Sequence, residues 1–292
     1  QPASESVLDR HTDVVESTTD RAAQWVDSFF NDPRYETEAA STLLRLRPEL
    51  SYRKEQGFDG RLRARVKLQL PNLGRRTSLV IGNDDYLDDE DEVDDTAEDA
   101  VVGLQFFGKS RKNLHTSLSL GVKFNEFAGY VGPRFRYSIP WGDKRSVSLT
   151  QTVRYQTNNY WYTISRADFN FITGDRFFFR QTFDGRWRGE KSEDEGFRTR
   201  VSSILTQWLR NDAGLQYEFT TIFHTRPDTH VDRYTLALRY RKRTSRDWLY
   251  YEIVPEVSFE EQFDYSFNPG IRLRLEFFYG AKTTDQIFRR EL

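Results

Sequence analysis

Two places in this 292-residue chain combine side chains that can do chemistry. His115-Thr116-Ser117 sets an imidazole and a hydroxyl two residues apart. On a strand both would point to one face, which is the minimum for a base that activates a nucleophile. A bare pair of this kind arises often by chance, and no convincing acidic or Asn partner lies nearby in sequence to orient the imidazole, so no catalytic residue is assigned. The segment His224-Thr225-Arg226-Pro227-Asp228-Thr229-His230-Val231-Asp232 gathers two of the four histidines with two aspartates around one turn. Its spacing matches no well-defined ligand motif, so it reads as a polar loop, and neither a metal nor any other cofactor is expected. The tract Asp84-Asp85-Tyr86-Leu87-Asp88-Asp89-Glu90-Asp91-Glu92-Val93-Asp94-Asp95 concentrates carboxylates but lacks the glycine and spacing of an EF-hand. Zero Cys excludes thiolate metal sites, Cys nucleophiles and disulfides. No nucleotide-binding glycine loop, nucleophile elbow or H-E-x-x-H helix is present.

The elements that would position these groups are strands. From Thr42 onward apolar and polar residues alternate with period two, most strictly in Arg61-Leu62-Arg63-Ala64-Arg65-Val66-Lys67-Leu68-Gln69-Leu70. The pattern returns from Leu114 to Phe124 and in segment after segment to Phe277, with Gly-, Asn- and Asp-rich turns between. The segments predict about 14 antiparallel strands, with 12 as the alternative because the third and fourth are short and weakly patterned. Mean hydropathy is −0.75 and charged residues make up 30% of the chain, values that suggest a polar protein on averages alone. No run approaches the roughly 18–20 apolar residues of a membrane helix, but a barrel strand needs only about 9–11 residues with every second one apolar. Aromatic residues reach 15%, and Phe and Tyr recur on the apolar face. A soluble protein would leave that aromatic surface bare.

The opposite face carries Arg45, Arg47, Arg61, Arg63, Arg65, Arg134, Arg136, Arg154, Arg180, Arg198, Arg200, Arg239, Arg272 and Arg274, with carboxylates such as Glu218 and Glu252 among them. Arg or Lys facing lipid at the midplane costs about 2–4 kcal/mol, so these side chains are expected to line a lumen. That face, interrupted by acids and turned inward, does not suggest nucleic acid. Sorting hairpin loops by end gives one basic rim (Arg76, Lys144, Arg176, Arg210, Arg246) and one acidic rim (Glu55, the 84–99 tract, Glu193, Asp228, Glu261). Residues 1–40 differ: from Thr12 to Phe30, Val15, Ala22, Trp25, Val26, Phe29 and Phe30 recur at helical spacing. The expectation is a short amphipathic helix that packs on one end of the domain rather than a plug.

The last strand, Asn268-Pro269-Gly270-Ile271-Arg272-Leu273-Arg274-Leu275-Glu276-Phe277, resembles the C-terminal assembly signal of bacterial outer-membrane β-barrels, with Gly270, Leu273, Leu275 and Phe277 in the matching places. The pattern departs from that class in continuing past the aromatic, through Phe278 to Leu292. Taken with the alternation over residues 42–279, the resemblance implies an all-β, antiparallel up-and-down transmembrane barrel of the porin-like class. It further implies insertion by the barrel assembly machinery, contact with outer-membrane lipid and lipopolysaccharide, and periplasmic termini. Expected divisions are an N-terminal periplasmic segment over 1–40, the barrel over 41–280 and a periplasmic tail over 281–292. Some outer-membrane lipid hydrolases carry a His and a Ser two apart on one strand, but they present the pair to lipid, whereas His115 and Ser117 share the polar face with Ser119 and Lys123. The expected function is a narrow, anion-biased channel, plugged by the loop 84–99 through Asp84, Asp85, Asp88, Asp89, Glu90 and Asp91. The alternative is a non-conducting barrel that anchors an envelope or periplasmic protein partner, with a lipid hydrolase as the outlying third reading.

Overall fold

The computed structural model describes residues 18–30, 42–70, 76–82, 100–108, 113–124, 127–158, 160–189, 191–210 and 212–280. The acidic tract 84–99, with Asp84, Asp85, Asp88, Asp89, Glu90 and Asp91, and the tail 281–292 lie outside these residues. Fourteen strands run in chain order: β1 (Leu43–Arg53), β2 (Gly57–Gln69), β3 (Thr77–Gly82), β4 (Val101–Phe107), β5 (Leu114–Lys123), β6 (Ala128–Pro140), β7 (Arg145–Gln156), β8 (Tyr160–Ile172), β9 (Phe177–Arg188), β10 (Arg198–Arg210), β11 (Ala213–His224), β12 (His230–Arg243), β13 (Leu249–Glu260) and β14 (Asn268–Gly280). Each pairs with its neighbours in sequence, and β1 pairs antiparallel with β14, so the sheet closes. Closure leaves no lipid-facing sheet edge, which is what a bilayer demands of strands. The count settles on 14 rather than 12 because the two short strands, β3 and β4, both pair on either side. Two small elements had no sequence signal: a one-turn helix α2 (Lys191–Glu195) between β9 and β10, and a 3₁₀ turn at Glu261–Phe263 after β13.

Alternation fixes the two faces. Along β1, Arg45, Arg47 and Glu49 are buried while Leu44, Leu46 and Leu50 are exposed; along β14, Arg272, Arg274 and Glu276 are buried while Ile271, Leu273 and Leu275 are exposed. This inverts the distribution of a water-soluble protein, in which charge lies outside. Aromatic pairs ring the outer face near both ends. At the acidic end Tyr52–Phe58, Tyr155–Trp161, Trp187–Phe197 and Phe259–Phe267 lie with centroids 4.8, 5.4, 5.1 and 6.2 Å apart. At the basic end Phe171–Phe179, Tyr240–Tyr251 and Trp248–Tyr279 lie 6.0, 6.0 and 5.4 Å apart. Paired girdles of this kind mark the two interfaces of a membrane-spanning barrel.

Inside, one wall is held by a row of small residues under an aromatic ring. The register aligns Gly103 of β4, Gly121 of β5 and Tyr130 of β6, and the ring lies along that row. A Cβ on Gly103 would come within 2.4 Å of the Tyr130 hydroxyl, so the glycine is there for close approach. The Arg154 guanidinium then stacks on the other face of the ring, 4.4 Å from its centroid.

Two substitutions test this arrangement by reversible urea unfolding from lipid bilayers. Leu273→Arg, on the outer face midway along β14, is expected to cost about 2–4 kcal/mol. Gly103→Val is expected to cost about 1–3 kcal/mol through overpacking, and distinctly less in a Tyr130→Ala background, where the opposing ring is gone.

Candidate functional site: the lumen and its basic mouth

Every arginine predicted to line the lumen lies on the inner face: Arg45, Arg47, Arg65, Arg134, Arg154, Arg180, Arg200, Arg239, Arg272 and Arg274 are buried, and Arg61, Arg63, Arg136 and Arg198 are partly so. Glu252 is buried there and Glu218 half-buried. The charges are sorted around the circumference. One arc, β12–β13–β14–β1, is a continuous ion-pair lattice. Glu252 on β13 is approached by Arg274 at 3.0 Å, Arg241 at 3.4 Å and Arg239 at 3.5 Å. Glu276 on β14 takes Arg241 at 2.5 Å and Arg45 at 2.7 Å, and Glu256 takes Arg272 at 2.6 Å and Arg53 at 2.7 Å. Arg274 also pairs with Glu49. Arg45–Glu276 and Arg274–Glu49 cross the seam where the first and last strands meet, so chain closure and charge neutralisation coincide there.

A smaller lattice on β8 and β9 joins Asp184 to Arg166 at 2.6 Å and Arg186 at 2.9 Å. The remaining arc, β2 to β7, has another character. Its inner face presents Arg61, Arg63, Arg65, Lys67, Lys123, Arg134, Arg136 and Arg154, whereas Asp59 at the rim, 2.8 Å from Arg61, is the acid it offers among the described residues. Arg65 and Arg154 line an internal cavity with Gln105, Ser119 and Tyr130. Its volume of about 30 Å³ holds a water or two, so side chains pack closely around these two guanidiniums. His115 and Ser117 sit in this arc, and the register sets Arg136 opposite His115 and Arg134 opposite Ser117. The pair therefore stands opposite arginines and faces the lumen rather than lipid.

The basic end holds the N-terminal helix. α1 (Thr18–Phe30) packs on that end of the domain and is seated inside the mouth. Ala22, Trp25, Val26 and Phe29 recur at helical spacing and are buried, and they pack with Ala23 and Phe30 against Phe178, Ile172, Trp208 and Tyr250. Those four partners all have inner-face phase. Trp25 stacks on Phe29 at 4.8 Å and meets Trp208 at 5.4 Å, and Phe29 meets Tyr250 edge-on at 6.1 Å. Gly214 admits the end of the helix: a Cβ there would lie 3.0 Å from the Phe30 ring. Polar contacts fix the orientation. Thr19 donates a hydrogen bond to the Asp143 carbonyl at 3.0 Å, and Asp27 pairs with Arg180 at 2.5 Å. Burial pushes the Asp27 carboxyl above the ordinary aspartate range, and the Arg180 guanidinium opposes that shift. A 13-residue helix is marginal alone in water, so its stability comes from this seat. A signal for the seat was present in the sequence: Phe178, Trp208 and Tyr250 are large aromatics lying out of phase, on the polar face, and all near the basic end.

Glu252 is the most heavily shared carboxylate of the lattice. Glu252→Ala leaves three buried guanidiniums without it and is expected to cost about 3–5 kcal/mol, read as a lowered urea midpoint of the refolded barrel.

No family model matches the chain, and no curated protein sequence does. Solved structures do. A loop-deletion variant of OmpT, an outer membrane protein of Vibrio cholerae, superposes over 82% of this chain and 100% of its own length with a TM-score of 0.51 at 9% identity. The outer membrane channel DcaP of Acinetobacter baumannii covers 82% of this chain and 97% of its own at a TM-score of 0.49 and 7% identity. OpdQ of Pseudomonas aeruginosa covers 82% and 99% at 0.48 and 11%. At these identities the likeness is one of fold. Closed antiparallel pairing, an apolar exterior between two aromatic girdles and a charged interior agree with it: the chain has the porin-like fold of a bacterial outer-membrane β-barrel.

Proposed function

We propose that this protein is an integral outer-membrane channel, narrow and anion-biased, whose basic mouth is closed at rest by α1. The observation that carries the reading is the seating of α1 on inner-face aromatics at the end of a lumen whose β2–β7 wall is arginine-rich. An array of guanidiniums along a low-dielectric wall lowers the energy of an anion passing it and raises that of a cation. In the proposed orientation both termini and the basic rim are periplasmic, so α1 gates from the periplasmic side. The acidic rim then faces lipopolysaccharide, and insertion uses the barrel assembly machinery through the β14 signal. The acidic tract 84–99 leaves the wall at Gly82 and returns at Val101, which pair with Arg65 and Lys123. That attachment beside two inward bases supports its proposed role as a second, electrostatic plug from the acidic end.

A second reading has its own observation. Close side-chain packing around Arg65 and Arg154, if it extends across the lumen, favours a barrel that never conducts and instead anchors an envelope partner through α1 and the basic rim. Planar-bilayer recordings with a salt gradient separate the two. The channel reading expects rare, brief openings for the intact chain and much more frequent ones for Trp25→Ala combined with Phe29→Ala, which unseats the helix. Reversal potentials should indicate anion preference, and this should diminish when Arg61, Arg63 and Arg65 are changed to Gln. Deleting residues 84–95 should raise the current further; unchanged current would remove the acidic plug from the account. A folded, heat-modifiable double variant without conductance would establish the anchoring reading instead.

A further inference from the structure

The turn around Arg226-Pro227-Asp228 becomes something more specific once β11 and β12 are paired. His224 and His230 end the two strands opposite each other, with ring centroids 6.0 Å apart. The register then slips: Ile222 faces Arg233 while Phe223 faces Val231, so Asp232 is the extra residue of a bulge. Bulges re-aim side chains, and this one turns the Asp232 carboxylate to the histidines. Asp232 Oδ2 lies 2.7 Å from His224 Nδ1, and Oδ1 lies 3.3 Å from His230 Nε2. Glu261, from the 3₁₀ turn after β13, brings Oε2 within 3.3 Å of the same His230 Nε2.

Two details distinguish this group from an ordinary polar rim. The His230 Nδ1 lies 3.0 Å from the Asp228 carbonyl oxygen, which can only accept, so Nδ1 carries a proton and Nε2, facing the carboxylates, is the atom left to bind a metal once the ring is neutral. A backbone carbonyl that fixes the tautomer in this way is the usual outer support of a metal-binding histidine. Next, Asp232 Oδ2 is buried and accepts no hydrogen bond although it lies within reach of His224 Nδ1, so the two atoms are close without being aligned on each other. A buried carboxylate oxygen that faces two imidazoles without a hydrogen bond of its own is placed to take a cation. One ligand atom from each of His224, His230 and Asp232 lies within 4.8 Å of the others, the spread that a single ion spans.

We propose that His224, His230 and Asp232, with Glu261 as an additional oxygen donor, bind one borderline divalent transition-metal ion, of the kind that Zn²⁺ and Cu²⁺ represent, at the acidic rim of the barrel. Two imidazoles with one or two carboxylates suit these ions and suit Ca²⁺ and Mg²⁺ poorly, since those require mostly oxygen. The bound ion ties the β11 and β12 strand ends to the β13–β14 connection. All four side chains are partly exposed, His230 at 38% and Glu261 at 54%, so the ion reaches them directly from solvent.

The test uses the full chain without a histidine tag, refolded in detergent and stripped with a chelator. Zn²⁺ titrated in competition with a chromophoric chelator is expected to show one tight equivalent, unaffected by excess Ca²⁺. His224→Ala and His230→Ala should each weaken it by about tenfold or more, a loss on the scale of removing a ligand or its support. The heat-modifiable gel shift reports that the variants remain folded. In the same protein Cu²⁺ should give an electron paramagnetic resonance spectrum with two nitrogen couplings, reduced to one in either variant. No stoichiometric competition, or competition that persists unchanged in His224→Ala/His230→Ala, would overturn the site and leave a proton-bridged His–Asp–His cluster in its place.

Discussion

A guanidinium turned toward the inside of a membrane barrel has to be answered there, because the lipid outside offers it nothing. Most of the architecture follows from how this chain answers. Along β12–β13–β14–β1 the buried Glu252, Glu256 and Glu276 are each shared between arginines on other strands, and three pairs, Arg45–Glu276, Arg274–Glu49 and Arg53–Glu256, span the junction of the chain's ends. Backbone pairing of β1 with β14 alone would satisfy the hydrogen bonds of closure. The ion pairs add directionality, since a slip of one residue would turn Arg45 and Glu49 to lipid and Leu44 and Leu46 to the lumen. Buried ion pairs are weak evidence for stability but strong specifiers of register, and here they stand where register matters most.

The opposite arc is built differently. Between β2 and β7 the charged residues of the inner face are basic apart from Asp59 among the described residues, and the wall there is thinned by glycines under the Tyr130 ring. A barrel that used its interior only as a packed core would have no physical reason to concentrate cations on one side. The basic residues of that arc are what support the proposed anion path along one wall, with the ion-pair lattice of β12–β13–β14–β1 framing the other. The apolar seat of α1 is built from β8, β9, β10 and β13, while Thr19 reaches the Asp143 carbonyl in the β6–β7 turn, so the helix is held from both arcs.

Much of this was legible in the sequence because period two is an unambiguous signal when sustained over so many strands. The strand limits and the inner placement of Arg45, Arg65 or Arg274 all come from alternation alone, and turn residues mark the hairpins. Three features were not legible. The amphipathic stripe of α1 shows that Ala22, Trp25 and Phe29 need a surface, not which surface; the answer required recognising Phe178, Trp208 and Tyr250 as apolar residues on the polar phase. The His224–Asp232 group was masked by a bulge, because strict alternation back from the inward Arg233 would send both Asp232 and His230 to the outer face, away from His224. The network around Glu252 depends on lateral register between strands, which the chain's own order does not display.

The account turns on α1 closing a lumen that otherwise conducts. With no native Cys, thiols placed at Trp25→Cys and Trp208→Cys, whose parent rings lie 5.4 Å apart, are the only ones in the protein. The decisive measurement is bilayer current through this double variant before and after a short, reducible thiol cross-linker. Current that is present with free thiols, disappears on cross-linking and returns on reduction is the predicted result. Cross-linked protein that conducts as well as the reduced form, or a pair that will not cross-link in the folded barrel, would contradict it.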